Sequence, residues 1–452
     1  MGSLMKETDR TFYRKFFAIY VVLVLQNVVT LSVNLADNMM LGAYSEISLS
    51  GVAAVNQIQF VFQQLLGALG DGLVILCSQY WGSRRIGPMK KIAATAMYTG
   101  LLIAALLFGM VTLFPHQAMK IFTNDEMIIG EGMKYLAIIR FTYLFFAVTQ
   151  ILLATLRSVE IVKIAFVLSV MTFCVNCGIN FVLIYGRFGA PEMGAAGAAI
   201  GTLAARILEC GVLITYIVKK EKHLRLRLRD YLQFDKTLVC DYFKLTTPMV
   251  FIQGLWGVNT ALQTVILGHM TAAAIAANSV ASNIFLMVKS MAVGAAAAAS
   301  VIIGNTIGSG DIDLVKRYSK MMQKLFLAIG ICSGIILFLI RIPILGFYNL
   351  TPETKEMANT FLLILSVVIV GMSYQMPTNG GIIKGGGNIM FVVKMDLISI
   401  WLIVIPLSFF MAFVVKASPA VVVCCLNADQ IFKCIPAYLK ANYGNWIRKL
   451  TR

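Results

Sequence analysis

Four residues place oxygen chemistry on stretches that otherwise read as hydrocarbon. Asp37 lies near the end of the first long apolar segment, within Asn34-Leu35-Ala36-Asp37-Asn38-Met39-Met40-Leu41-Gly42. An ionised Asp at the centre of a membrane helix costs about 3 kcal/mol on insertion scales, so such a residue faces a polar interior and marks an ion or proton site. The alternative is a helix-end cap satisfied by water. Asn176 and Asn180, four apart on the fifth apolar segment, share one helical face. Thr202 lies near the middle of the sixth. One carboxylate among neutral oxygens suits a proton or a hard cation. Hydrogen bonding between helices is the other reading of the amides and the hydroxyl.

The elements that must hold these residues are membrane helices. The chain of 452 residues is 59% hydrophobic and 13% charged, against about 45–50% and about 25% in soluble domains. A chain this apolar cannot cover itself with polar surface, so a polytopic membrane protein is expected. Lys6, Arg10, Arg14 and Lys15 precede an apolar run too long for a signal peptide. The net charge of +17 sits in short connections, where it reads as a topology signal and not as a nucleic-acid surface. The nine cysteines fall mostly in apolar segments, and the three histidines (His116, His223, His269) lie at loop-like positions. No metal site built on His or Cys and no cofactor is predicted.

Runs of about 20 apolar residues predict twelve helices, at 14–41, 50–80, 90–114, 128–154, 160–185, 194–218, 242–268, 272–306, 317–341, 355–380, 388–415 and 418–438. The runs are continuous and do not alternate, which predicts helices and not a barrel. With the N-terminus inside, 29 of the 38 Lys and Arg fall on the cytoplasmic side, counting Lys433 and the four after it. Six fall outside, and Arg140, Arg206 and Lys289 fall within helices. Both termini are therefore expected in the cytoplasm, of a bacterial inner membrane. The fold class is all-α, with a six-helix bundle over 1–218, a basic linker over 219–241, a second bundle over 242–438 and a tail over 439–452. The linker's charges suit anionic lipid headgroups, and a monomer among membrane lipids is expected.

The two bundles are related in sequence. A shift of 226 lays Leu41-Gly42 on Leu267-Gly268, Gly82-Ser83 on Gly308-Ser309 and Lys90-Lys91 on Lys316-Arg317, and a shift of 227 lays Arg157 on Lys384. Six helices per repeat make the repeats parallel, about an axis along the membrane normal, an architecture suited to alternating access. The charges break this symmetry. Asp37 falls on Gln263, Asp71 on Ala297 and Lys289 on Gln63. Asp71 and Lys289, on the equivalent second and eighth helices, are candidates for the cleft and for a mutual ion pair. Arg206 and Glu209, three apart, read as an intrahelical structural pair. Gly294 to Ser300 is a small-residue run for close packing, and Pro248 and Pro406 are candidate hinges.

Several stretches resemble the multidrug and toxic compound extrusion (MATE) family. Asp37 to Gly42 is similar to its first-helix motif, and Ser78-Gln79-Tyr80-Trp81-Gly82 to the end of its second helix. Gly189 to Ala199 with Thr202 and Arg206 resembles its sixth-helix region. Ile383-Lys384-Gly385-Gly386-Gly387-Asn388 resembles its Leu-Arg-Gly-Gly-Gly-Asp signature, and Trp446 to Thr451 a common bacterial ending. The resemblance implies an antiporter that expels amphipathic, often cationic small molecules in exchange for H+ or Na+. It carries the cation site onto Asp37, Asn176, Asn180 and Thr202. Two departures matter. Asn180 stands where the family often has Asp, which favours a proton over Na+ at Asp37, and Gln253 stands where many members have Glu. Gln253 and Gln263 join Asp71 and Lys289 as candidate cleft residues. A flippase for a lipid-linked or anionic solute is the alternative, favoured if Lys289 and Arg140 line the cleft. An intramembrane aspartyl enzyme on Asp37 and Asp71 fails on its Gly-x-Gly-Asp signature, because position 68 is Ala. No catalytic residue is assigned.

Overall fold

A computed structural model describes residues 2–221, 223–224, 228–268, 270, 272–346 and 351–451. His269 and the linker residues Lys222 and Arg225 to Arg227 lie outside them. Among the described residues the chain is helical and contains no strand. The first repeat holds α1 (Gly2–Tyr44), α2 (Glu46–Gly82), α3 (Ile86–Leu113), the short α4 (Pro115–Lys120), α5 (Glu126–Ile139), α6 (Thr142–Ser158), α7 (Lys163–Tyr185) and α8 (Ala195–Lys219). The second holds α9 (Lys236–Gly268), α10 (Ala272–Ser309), α11 (Ile312–Leu345), α12 (Pro352–Pro377), α13 (Ile389–Asp396), α14 (Ile405–Phe409), α15 (Pro419–Leu426), α16 (Asp429–Phe432) and α17 (Cys434–Tyr443). Among the described residues, eleven helical stretches are long and apolar enough to cross a membrane, and α5 with α6 makes a twelfth, bent by 53°.

That bend is the main departure from the expected straight helix over 128–154. No Pro or Gly causes it. The Phe141 and Tyr143 amides turn back only three residues, to Ile138 and Arg140, while the Thr142 hydroxyl takes the Ile139 carbonyl at 2.6 Å. A hydroxyl that competes for helix carbonyls loosens the ladder where it stands. The Arg140 guanidinium at the bend packs over the Phe108 and Phe141 rings and donates to Thr112 at 3.2 Å. In the second repeat, α12 runs into a π-helical turn, Thr378–Ile383, and further π-helical stretches flank α14, which begins at Ile405-Pro406.

The chain gathers into two compact units, one of residues 1–24, 78–84 and 247–452, the other of 25–77 and 85–246. Pro248 stands one residue inside the last crossing between them. In the first unit the start of α1 packs as an aromatic ladder. Phe12 meets Tyr318 at 4.7 Å, Phe16 meets Phe326 at 6.4 Å, and Asp9 pairs with Arg317 at 2.6 Å. The Gly294–Ser300 run does pack closely: a Cβ on Gly381 would lie 2.7 Å from the Cβ of Ala299. The ends of α2 and α10 cross through paired glycines. A Cβ on Gly82 would overlap the Asn305 carbonyl, and one on Gly308 would overlap the Gln79 carbonyl. Both pairs are related by the 226-residue shift, so the sequence repeat has become a pseudo-twofold contact.

In the second unit the described part of the linker is tied to α3. Lys90 reaches Asp230 at 2.8 Å and Lys91 reaches Asp235 at 3.4 Å. The Thr237 amide, donating at 3.0 Å, holds the Asp235 carboxyl below its usual range.

Candidate functional site

Asp37, Asn176, Asn180 and Thr202 meet inside the second unit. Asn180 Nδ2 donates to Asp37 Oδ1 at 2.7 Å and also approaches Asn176 Oδ1 at 3.3 Å. Asn176 Nδ2 donates to Thr202 Oγ1 at 3.1 Å, and that hydroxyl donates to the Ala198 carbonyl at 3.1 Å. The result is a relay of side chains from a carboxylate on α1 through two amides on α7 to a hydroxyl on α8. The four-residue spacing on α7 stacks the amides on one face, and both are almost wholly buried. The relay exists because α7 and α8 approach closely. A Cβ on Gly201 would run into Asn180 Oδ1, and one on Gly197 would lie 2.8 Å from the Leu183 carbonyl.

Asp37 opens on a cavity of about 60 Å³, room for a few waters. Its other walls are polar at Asn34 on α1, Gln63 on α2 and Arg206 on α8, which the sequence named in other roles, and at Asn56 and Gln59 on α2 and Tyr135 on α5, which it did not single out. The amides on α2 are spaced three and four apart, a one-face stripe visible in the sequence. Tyr135 carries no such signal, because only the bend after α5 sets its direction. Asn180 Oδ1 is buried and has no hydrogen-bond partner among the described residues, so the relay keeps one unused acceptor beside the carboxylate.

The expected cleft residues do not join this site. Asp71 on α2 takes Arg157 of α6 as its ion-pair partner at 3.0 Å. Lys289 on α10 lays its ammonium 5.1 Å from the centre of the Trp256 ring. Each of these contacts lies within one unit, Asp71 with Arg157 in the second and Lys289 with Trp256 in the first. Gln253 and Gln263 lie half-buried on α9. Arg140 is held at the α5–α6 bend and is not among the residues lining the Asp37 cavity. Arg206 and Glu209 do pair within α8, at 2.6 Å.

A second charged cluster escaped the sequence reading. Lys433, counted there among the cytoplasmic charges, is buried and clamped between Asp396 at 2.8 Å and Asp429 at 2.9 Å. Gln430 donates to Asp429 at 2.7 Å, Gln375 to Gln430 at 2.7 Å and Asn379 to Gln375 at 3.0 Å. The spacing of four between Asp429 and Lys433 was a legible signal. Asp396, on another helix, was not.

Two six-helix repeats with a buried carboxylate relay in one of them define a multi-pass membrane transporter. The family model MatE matches the chain twice, over residues 23–185 and 248–410. The matches begin 225 residues apart, in agreement with the internal repeat. The chain belongs to the MatE family. It is 22% identical over 449 residues to a Bacillus subtilis protein named uncharacterized transporter YisQ, covering 99% of this chain and 97% of that one. It is 25% identical over 434 residues to the Thermotoga maritima protein named probable multidrug resistance protein NorM, covering 94% and 92%. Its fold matches the crystal structure of the eukaryotic MATE transporter AtDTX14 with a TM-score of 0.84, at 18% identity over 97% of each chain.

Proposed function

We propose that this transporter is an antiporter that exports amphipathic, often cationic small molecules in exchange for protons entering through Asp37. The observation that carries the reading is the relay from Asp37 through Asn180 and Asn176 to Thr202, set on a small polar cavity in an apolar helix bundle. A carboxylate in that setting can exchange a proton with water in the cavity and change the local charge by one, which biases a two-state helix bundle. The oxygens also bear on the choice of ion. Asp37 is the one carboxylate among the residues lining the cavity, and Asn180 offers it a neutral N–H where a second acid would add charge for Na+. Such a site favours H+ over Na+. The name of the Thermotoga relative, a probable multidrug resistance protein, supports drug-like substrates. The charge asymmetry of the connections supports both termini in the cytoplasm of a bacterial inner membrane. The flippase alternative would draw on Arg140, which packs over Phe108 and Phe141, and on Lys289, which packs over Trp256; two basic groups are thin support for phosphate binding.

The test is efflux of a cationic dye from proteoliposomes under an imposed proton gradient or Na+ gradient. The proton gradient should drive efflux, and Asp37→Asn should abolish the coupled component while leaving the folded protein intact. Undiminished gradient-driven efflux in the mutant, or drive by Na+ alone, would overturn the reading.

A further inference from the structure

Arg206 stands out because it belongs to two places at once. Its Nη1 donates to Glu209 at 2.6 Å, one turn along α8, and Glu209 is buried. Its guanidinium lies 5.1 Å from the centre of the Phe146 ring and lines the Asp37 cavity. Glu209 does not line that cavity. Thr202, the end of the Asp37 relay, stands four residues before Arg206 and so shares its helical face. The pair is therefore an oriented dipole inside the bundle, with its positive end toward the cavity and its negative end behind. A guanidinium stays charged at any physiological pH, so it cannot be the proton carrier. It can set the field in which Asp37 gains and loses its proton. Of the other titratable groups around Asp37, Tyr135 of α5 and Tyr143 of α6 line the same cavity, and Cys177 of α7 stands outside its lining but within electrostatic reach of Asp37; α2 offers only the neutral Asn56, Gln59 and Gln63 to the cavity.

We infer that the Arg206–Glu209 pair is the positioning element of the proton site: Glu209 restrains the Arg206 charge, and that charge stabilises ionised Asp37 when its proton leaves. The inference rests on Asp37 being the proton-carrying group. An opposite charge within reach favours the ionised carboxylate, and a competing anion on that cation weakens the effect. The two neutralising changes therefore act in opposite directions. Glu209→Gln leaves Arg206 free to face Asp37 and moves the Asp37 titration toward acid. The double variant Arg206→Gln/Glu209→Gln removes the positive end as well and moves it toward alkali. A merely structural salt bridge would lower stability in both variants and move neither midpoint. Arg206→Gln alone is avoided, since it strands the buried Glu209 charge.

The experiment is an infrared pH titration of the protonated-carboxyl band on the full chain in lipid, a readout that needs folded protein but no transport. The band is assigned to Asp37 by its loss in Asp37→Asn. The expected result is a midpoint separation of about one pH unit, tenfold in proton affinity, between Glu209→Gln and the double variant, with the unaltered chain between them. The double variant buries no stranded charge and so keeps the comparison with the unaltered chain open if Glu209→Gln fails to fold. A common midpoint in the folded variants, or shifts in the reverse order, overturns the inference while leaving Asp37 as the carrier. A titration that Asp37→Asn leaves unchanged overturns the proton reading itself.

Discussion

Lys433 offers the most direct energetic test of the second repeat. Its ammonium is the counter-ion of two carboxylates, Asp396 at 2.8 Å and Asp429 at 2.9 Å. Replacing Lys433 by Met keeps the apolar stem and removes the charge, stranding both acids. Breaking a buried ion pair by deleting one partner costs about 3–5 kcal/mol. The structure places this case at the lower end of that range. The Asp396 side chain is 26% exposed and recovers part of its solvation, whereas Asp429, at 4%, keeps the Gln430 amide and the more distant charge of Lys289. A loss of about 3 kcal/mol is expected, roughly two decades in the folding equilibrium. Thermal unfolding of the purified protein in detergent would show it as a lowered midpoint. The triple variant Asp396→Asn/Lys433→Met/Asp429→Asn strands no charge and should recover most of the loss. If Lys433→Met melts like the unaltered chain, or the triple melts as low as the single, the cluster is not held together by charge and the reasoning fails.

Two further outcomes follow from close approaches in the bundles. Gly201→Ala should push Asn180 off Asp37 and reduce gradient-driven dye efflux by about tenfold or more, as misplaced site geometry does. Gly178→Ala on α7, where an added Cβ meets nothing within 4 Å, should leave efflux near normal; equal efflux from both variants would mean that the relay does not matter. Gln79→Ala should loosen the C-terminal segment. The Gln79 side chain donates to the Arg448 carbonyl at 3.1 Å and accepts from the Leu450 amide at 2.7 Å, so its loss costs about 1–3 kcal/mol and should open residues 444–451 to protease. A tail as resistant as before would show that Trp446 and Gly386 hold it without Gln79.

The legible and the hidden parts of this chain divide by the range of the interactions. Helix number, order and approximate length were legible because each apolar run is a local property imposed by the bilayer. The partners of Asp37 were partly legible, since Asn176 and Asn180 advertise a shared face by their spacing and Thr202 is a polar residue near the middle of the sixth apolar run. Tyr135 was not, because it reaches the site through a bend that no Pro or Gly marks; the bend comes from Thr142 competing for one carbonyl. The Arg157–Asp71 pair and the Asp396–Lys433 pair join residues 86 and 37 positions apart. The sequence shows the charges and not the pairing. The burial of Lys433 was hidden for the same reason: near the end of an apolar run, a snorkelling lysine and a buried one look alike.

The repeat separates what holds the fold from what sets it to work. The crossing of α2 and α10 is duplicated: Gly82 faces the Asn305 carbonyl, Gly308 faces the Gln79 carbonyl, and each residue is the other's mate at a shift of 226. Substituting either glycine inserts a methyl against a backbone carbonyl that cannot move aside, so both halves have kept the same solution to close packing. The loop cations Lys90-Lys91 and Lys316-Arg317 share that symmetry, but the charges inside the helices at Asp37, Asp71 and Lys289 do not. Asp37 corresponds to Gln263, Asp71 to Ala297 and Lys289 to Gln63, and the Asp396–Lys433–Asp429 cluster stands in the second repeat alone. Two copies of one scaffold with a single relay carboxylate confine the proposed proton chemistry to the first repeat.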